Sequence, residues 1–151
     1  MREILFRGKR CDNGEWAYGY YVRADHHWHQ HGVHKDWIIC GAAANGGWFS
    51  IHNRCAVQAE TVSQFTGLLD KNGKRIFEGD VVAQNWYTHD EPSDDSFGEV
   101  VFCEYDCSFS VMDVKQDGIV PLGRCHAYHW EAEVVGNIHD NPELVGERDV
   151  L

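Results

Sequence analysis

Apolar and polar positions along this chain follow the period of a strand. Before residue 60, no stretch holds a 3.6-residue apolar period long enough for a helix. Trp16, Tyr18, Tyr20 and Val22 fall on one face of an extended Glu15–Arg23 segment. Ile4–Arg7 reads as the strand before it, and Cys11-Asp12-Asn13-Gly14 as the turn between them, so the first twenty-odd residues predict a hairpin. Ala24–Lys35 is a polar, His-rich loop or exposed strand, and Asp36–Cys40 a short strand ahead of the Gly/Ala-rich Gly41–Gly47. Trp48–Ile51 and Ala56–Ala59 make two further extended pieces around Asn53, and Glu60–Phe65 is either one helical turn or a strand.

From Thr61 to Val82 a short polar-apolar run meets the tight Asn72-Gly73 turn and then a β-branched strand. Arg75–Ala83 is interrupted at Glu78-Gly79-Asp80, where Gly79 suggests a bend and Asp80 a side-chain cap on backbone groups. Thr88–Ser96 reads as an acidic loop. Gly98–Glu104, Ser108–Val114, Ile119–Leu122 and Ala132–Ile138 are strands, and Asn141-Pro142 closes the last of them. Short strands joined by brief turns predict a small barrel or a tightly curled sheet.

Composition agrees. Hydrophobic residues make up 43 % of the 151, and six Trp, six Tyr and seven Phe stand against two Met. Large flat side chains suit a pleated, half-buried surface. The length predicts one domain or a domain with a small lobe, divided as residues 1–60 and 61–151. Charge sharpens that division. The formal net charge is −11, yet residues 1–60 carry seven Lys/Arg against six Asp/Glu, while residues 90–151 carry fifteen carboxylates against Lys115, Arg124 and Arg148. That acidic half repels phosphate backbones and disfavours nucleic-acid binding through it. Only three consecutive apolar residues stand near the N-terminus, and no run approaches a bilayer's thickness, so a cytoplasmic protein with no membrane partner is expected. Its six cysteines are then expected to be thiols.

Several segments together carry a resemblance: Arg2-Glu3-Ile4, Phe6-Arg7-Gly8-Lys9, Gly14-Glu15-Trp16, Tyr18-Gly19-Tyr20, Val62 with Gln64-Phe65-Thr66-Gly67-Leu68, Asp70-Lys71-Asn72-Gly73-Lys74, Ile76-Phe77-Glu78-Gly79-Asp80-Val81-Val82, and Val134-Val135-Gly136-Asn137-Ile138 with Asn141-Pro142-Glu143-Leu144. In this order they resemble the YopX-like family of bacteriophage and prophage proteins. The resemblance implies a mostly β (β-rich α+β) fold, with an SH3-like small barrel in the C-terminal portion and a smaller β-rich N-terminal lobe. It implies a phage or prophage origin in a bacterial cytoplasm and supplies no activity and no catalytic residues. Gly67, Asn72, Gly73, Gly79, Asp80, Gly136, Asn137 and Pro142 are the positions expected to define the fold. Ala24–Ile51 and Tyr87–Ser96 read as variable insertions.

Five constellations could carry chemistry. In an extended Asp25–His34 segment, His27, His29 and His31 would share a face and could chelate a divalent metal, although clustered histidines in a polar loop are more often solvated. Cys103, Cys107, Cys125 and His126 have soft-ligand character without zinc-knuckle spacing, and the cysteines read as buried structural thiols. Asp90, Glu91, Asp94 and Asp95 lack the glycine and terminal Glu of a calcium loop. Glu78-Gly79-Asp80 reads as a structural bend. Trp16, Tyr18, Tyr20, Trp28, Trp37, Trp48 and Phe49, interleaved with Arg7, Lys9, Arg10, Arg23 and Arg54, could form a stacking platform for bases, or a core and an oligomer interface.

No nucleophile elbow, Walker loop or dinucleotide fingerprint occurs. The expectation is a non-enzymatic, cofactor-free accessory protein that forms a homo-oligomer and contacts an unidentified host or phage protein through its acidic surface, as a mimic of nucleic acid. A nucleic-acid-binding SH3-like module is one alternative, and a metal-dependent hydrolase using residues 26–34 is the other.

Overall fold

The computed structural model describes residues 3–24, 35–45, 48–87, 92–114, 118–123 and 129–146, and leaves out the side chains at 42–52, 86–95 and 129. The chain forms two compact units, Met1–Phe65 and Thr66–Leu151.

The first unit is an antiparallel sheet in the order β4-β3-β2-β1-β5. β1 (Phe6–Lys9) and β2 (Trp16–Arg23) form the expected hairpin, in register from Phe6 opposite Gly19 to Lys9 opposite Trp16. β3 (Asp36–Asn45) and β4 (Trp48–Ala56) form a second, longer hairpin. Of the two extended pieces expected around Asn53, the first lies in β4, which runs on through Asn53. The second, Ala56–Ala59, is not a strand: β4 ends at Ala56, Val57 makes only an isolated bridge to Arg10, and Ala59 opens a turn. A 3-10 turn at Ala59–Thr61 leads into β5 (Ser63–Leu69), whose start pairs with β1 through Phe6–Gln64 and Arg7–Ser63. Alternation sends Phe6, Ala17, Tyr21, Ile38, Cys55 and Val57 to one face, where Ala17, Ile38 and Val57 are buried. Thr61 stitches the connection: its hydroxyl donates to the Gln58 carbonyl (2.7 Å) and accepts from the Lys9 N–H (2.8 Å).

β5 carries the chain into the second unit, where the Asp70–Lys74 turn leads to β6 (Arg75–Phe77). The following sheet has the order β10-β9-β8-β7-β11, from β7 (Asp80–Tyr87), β8 (Pro92–Cys103), β9 (Ser108–Asp113), β10 (Gly118–Pro121) and β11 (His129–Asn137). The mostly β expectation holds, with one refinement. Both sheets are antiparallel, and neither closes into a barrel among the described residues. The acidic loop expected over Thr88–Ser96 also needs correcting. β8 begins at Pro92 and pairs with β7 from Tyr87 inward, so ladder hydrogen bonds override the weak strand preference of Asp94 and Asp95.

The core of this unit is Ile76, Val82, Val100, Val111, Leu122 and Ala132, with Leu68, Phe109, Trp130 and Val134 packed against it. A polar bridge crosses it. Gln84, fully buried, donates to the Ser96 hydroxyl (3.0 Å) and accepts from the Trp130 indole N–H (3.1 Å). The Asp70–Lys74 turn is tied to β11 by the Lys71 N–H donating to the Ala132 carbonyl (2.8 Å) and by a Lys71–Glu133 ion pair. Both side chains of that pair are 44 % exposed, so solvent screening and side-chain entropy leave it weak. Lys71→Ala is expected to cost under about 1 kcal/mol in urea unfolding.

Candidate functional site

The outward face of the first sheet is built by strand parity. Residues opposite the buried set are Arg7 and Lys9 on β1, Trp16, Tyr18, Tyr20 and Val22 on β2, Trp37 and Ile39 on β3, and Arg54 on β4. Register puts Arg7 opposite Tyr18, Lys9 opposite Trp16, Tyr20 opposite Ile39 and Ile39 opposite Arg54. Tyr18, Tyr20 and Val22 are 49 %, 65 % and 41 % exposed, far more than their core-facing neighbours.

The cations on this face are stacked on its indoles. The Arg7 guanidinium carbon lies 4.5 Å from the Trp16 ring centroid, and Lys9 Nζ lies 5.6 Å from the same ring. Arg54 sits 5.1 Å from the Trp37 centroid. Such pairs hold both partners flat and keep the charge without extending it into water. Arg7 is buried and acts as the support beneath Trp16; Lys9 is half-buried and Arg54 exposed. Among the described strand positions of this face there is no Asp or Glu. The unit's five described carboxylates stand off these strand positions: Asp36 accepts from the Tyr21 hydroxyl on the opposite face, Asp12 and Glu15 sit in the β1–β2 turn, Glu60 lies in the 3-10 turn, and Glu3 precedes β1.

That turn is closed by its own side chains and backbone, the Gly14 N–H donating to the Arg10 carbonyl (3.0 Å). Arg10 donates to both Asp12 oxygens (2.9 and 2.6 Å), and this hydrogen-bonded ion pair holds the Asp12 carboxyl below its usual range. Asn13 Oδ1 accepts from the Glu15 N–H (3.0 Å). In the middle of β2, Gly19 lets β3 come close. A methyl group there would land on the Ile39 carbonyl, beside the irregular register of β3 between Ile39 and Gly41.

The other candidate residues scatter. His27, His29 and His31 lie outside the described residues, as do Trp28, Asp90, Glu91, Cys125 and His126. Trp48 and Phe49 lie on β4, with side chains not described. Among the described residues no group of three His, Cys, Asp or Glu is placed to hold a metal. Cys103 and Cys107 are not the buried thiols expected: at the β8–β9 hairpin tip, which reaches solvent, Cys103 is half-buried and Cys107 exposed, their thiols against the Asp106 carboxylate (4.0 Å) and the Glu104 carbonyl (3.5 Å). Arg10 belongs to the turn, and Arg23 stands opposite Asp36 on the other parity.

The fold-defining candidates are all in the second unit. Gly67, Gly73 and Gly79 adopt φ of 89°, 78° and 74°, and Gly73 follows Asn72 in the Asp70–Lys74 turn. Asp80 is buried, and its Oδ2 accepts the Phe77 N–H (2.8 Å) across the Gly79 bend. Gly136 stands at the β11 irregularity against Leu144 and Asn141, Asn137 Oδ1 accepts from the His139 and Asp140 N–H groups (3.0 and 2.9 Å), and Pro142 opens a closing 3-10 turn.

A family model described as YopX protein matches residues 5–146. The chain belongs to the YopX protein family. This YopX-family chain is also similar to a solved structure, the crystal structure of protein EF1440 from Enterococcus faecalis, at 22 % identity and a TM-score of 0.55. The match covers 96 % of this chain and 99 % of that one, and at this identity it speaks for the fold alone. Among curated proteins no relative matches. No helix among the described residues is long and apolar enough to cross a membrane.

Two features of the YopX-family chain escaped the sequence reading. Arg54 was legible as a basic neighbour of the aromatics, but its seat on Trp37 depends on the β3–β4 register. Asp70 enters the sequence reading only within the Asp70–Lys74 segment of the resemblance, although an Asp two residues before Asn-Gly is itself a signal for side-chain capping.

Proposed function

We propose that this chain is a non-enzymatic binding module of phage or prophage origin, acting in a bacterial cytoplasm, whose outward N-terminal sheet face holds single-stranded nucleic acid. The observation that carries this reading is the makeup of that face: aromatics and cations, with no carboxylate at its described strand positions. Tyr18 and Tyr20 stand two residues apart on one strand, about 7 Å along it, and offer exposed rings to successive bases. Lys9 and Arg54 flank them and meet the phosphates, while Arg7 keeps Trp16 in place. Base stacking tolerates any sequence, and residues 1–60 carry seven Lys/Arg against six Asp/Glu, the excess negative charge belonging to residues 90–151.

Anisotropy titrations of labelled single-stranded DNA and RNA at low salt test this. Tyr20→Ala is expected to weaken binding by about 1–3 kcal/mol, or roughly 5- to 150-fold in Kd. With two phosphates met, the slope of log K on log salt is expected to be shallow, about −1.4. No binding at low salt, or equal binding by Tyr20→Ala, sinks the reading.

A second reading rests on charge. Fifteen carboxylates in residues 90–151 would engage a basic host or phage protein, in a complex whose association slows as salt rises. A partner captured by the intact chain that dissociates equally at all salt concentrations rules it out. In either reading the exposed Tyr18, Tyr20 and Val22 favour self-association, and a monomer by light scattering at micromolar concentration removes that clause.

A further inference from the structure

The core-facing side of the first unit carries two thiols in contact. Cys40 on β3 and Cys55 on β4 have their sulfurs 3.7 Å apart, with Cys40 exposed and Cys55 half-buried. A buried pair would read as packing; an exposed sulfur touching a second one is placed for chemistry. Cys40 lies where the β3–β4 register shifts, between Ile39 opposite Arg54 and Gly41 opposite Asn53, so its backbone is not locked into the ladder. A disulfide needs about 2.05 Å between sulfurs, and side-chain rotation with adjustment at that irregularity closes the remaining gap. Among the described residues no third His, Cys, Asp or Glu completes a metal-ligand set with them, so the pair suits oxidation better than zinc.

Beside Cys55 lies an open cavity of about 210 Å³ lined by Arg10, Cys11, Asp12, Arg54, Cys55 and Ala56. Arg10 there is held by Asp12 and Arg54 is stacked on Trp37, so what the cavity supplies is open space beside the Cys55 thiol for a small disulfide.

We propose that Cys40 and Cys55 are a thiol-oxidation site, converted to a reversible cross-strand disulfide by a low-molecular-weight disulfide of the glutathione class. One protein thiolate attacks the oxidant's sulfur, a mixed disulfide forms, and one small thiolate leaves. The second protein thiolate then displaces the other half and forms the Cys40–Cys55 bond. The two protein thiols lose two protons and two electrons, and the oxidant accepts them and departs as two thiols. Burial, then the neighbouring Cys55 thiol, push the Cys40 thiol up, and Arg10 opposes that rise. Cys55, which lines the cavity where Cys40 does not, is the entry thiol in this scheme. The bond closes a loop of about 15 residues and staples the hairpin that carries Trp37, Ile39 and Arg54.

The test is oxidation of the full chain with excess glutathione disulfide, followed by alkylation and peptide mapping. The expected result is a peptide linking Cys40 to Cys55, a loss of two hydrogens from the intact mass, an upward shift of several degrees in the melting midpoint, and reversal by dithiothreitol. Cys40→Ser is expected to trap glutathione on Cys55. A link between other cysteines, such as Cys11–Cys55 or Cys103–Cys107, overturns the proposal. So do stable glutathione adducts on both Cys40 and Cys55 without a link. The map of the wild-type chain decides the matter even if Cys40→Ser fails to fold.

Discussion

Gly98→Ala is expected to destabilise the protein by roughly 3–5 kcal/mol, enough to threaten folding in a chain of ordinary marginal stability. Gly98 is on β8, opposite Val82 on one side and Asp113 on the other, in the middle of the five-stranded sheet. A Cβ placed there falls on the Met112 carbonyl oxygen and comes within 3.2 Å of the Asp113 Cα. These are backbone atoms of a paired strand and cannot swing aside as a flexible side chain would. Relief requires pulling β9 from β8, which breaks ladder hydrogen bonds above the packed Val100 and Val111. Thermal unfolding followed by circular dichroism checks this, with an expected drop of roughly 6–20 °C. Gly41→Ala is the control: its nearest neighbour is the Asn53 Cβ at 3.6 Å, an ordinary contact, and its melting point is expected to change by less than about 3 °C. A small change for Gly98→Ala would mean that the two strands are not so close.

How far such features can be read in advance depends on where their cause lies. The β1–β2 hairpin was legible because it is written locally, in the Asn13-Gly14 turn and the alternation of Trp16, Tyr18, Tyr20 and Val22. The same alternation placed Tyr18 and Tyr20 on one face, and the charge count separated a near-neutral N-terminal part from an acidic one. Three things were not legible. Trp48–Ile51 and Ala56–Ala59 read as two extended pieces around Asn53, but pairing with β3 carries one strand from Trp48 through Asn53 to Ala56, and Ala59 already belongs to a 3-10 turn. Asp94 and Asp95 argue for a loop until the ladder to β7 is present. The meeting of Cys40 with Cys55, and of Arg54 with Trp37, depends on register and a strand irregularity, which arise from the whole sheet and not from any neighbouring residue.

Asp70→Ala is expected to cost roughly 3–5 kcal/mol at neutral pH and much less in acid. Asp70 is only 6 % exposed, and its carboxylate is filled by backbone donors. Oδ1 accepts from the Asn72 N–H (2.8 Å) and the Lys74 N–H (2.9 Å), which sets the turn, and Oδ2 accepts from the Val134 N–H (3.2 Å), which fastens that turn to β11. Removing it orphans three donors that the chain cannot turn to water without opening the β5–β6 hairpin. Burial alone would push this carboxyl up. The N–H groups of Lys74, Val134 and Asn72, with the Lys74 charge, outweigh it and hold the carboxyl below its usual range. A depressed carboxyl stabilises the fold in full above the unfolded value, about pH 4, and that contribution fades as pH falls through the folded value. Urea unfolding at pH 7 and pH 3 should therefore show wild type and Asp70→Ala far apart at the first and drawn together at the second. Asp70→Asn separates shape from charge: its oxygen still serves the Asn72 and Lys74 donors, but its amide meets the Val134 N–H donor to donor. An intermediate loss, roughly 1–3 kcal/mol and with little pH dependence, is expected for it. A gap between wild type and Asp70→Ala that stays constant from pH 7 to pH 3 would show that Asp70 acts by packing alone and that its charge holds nothing.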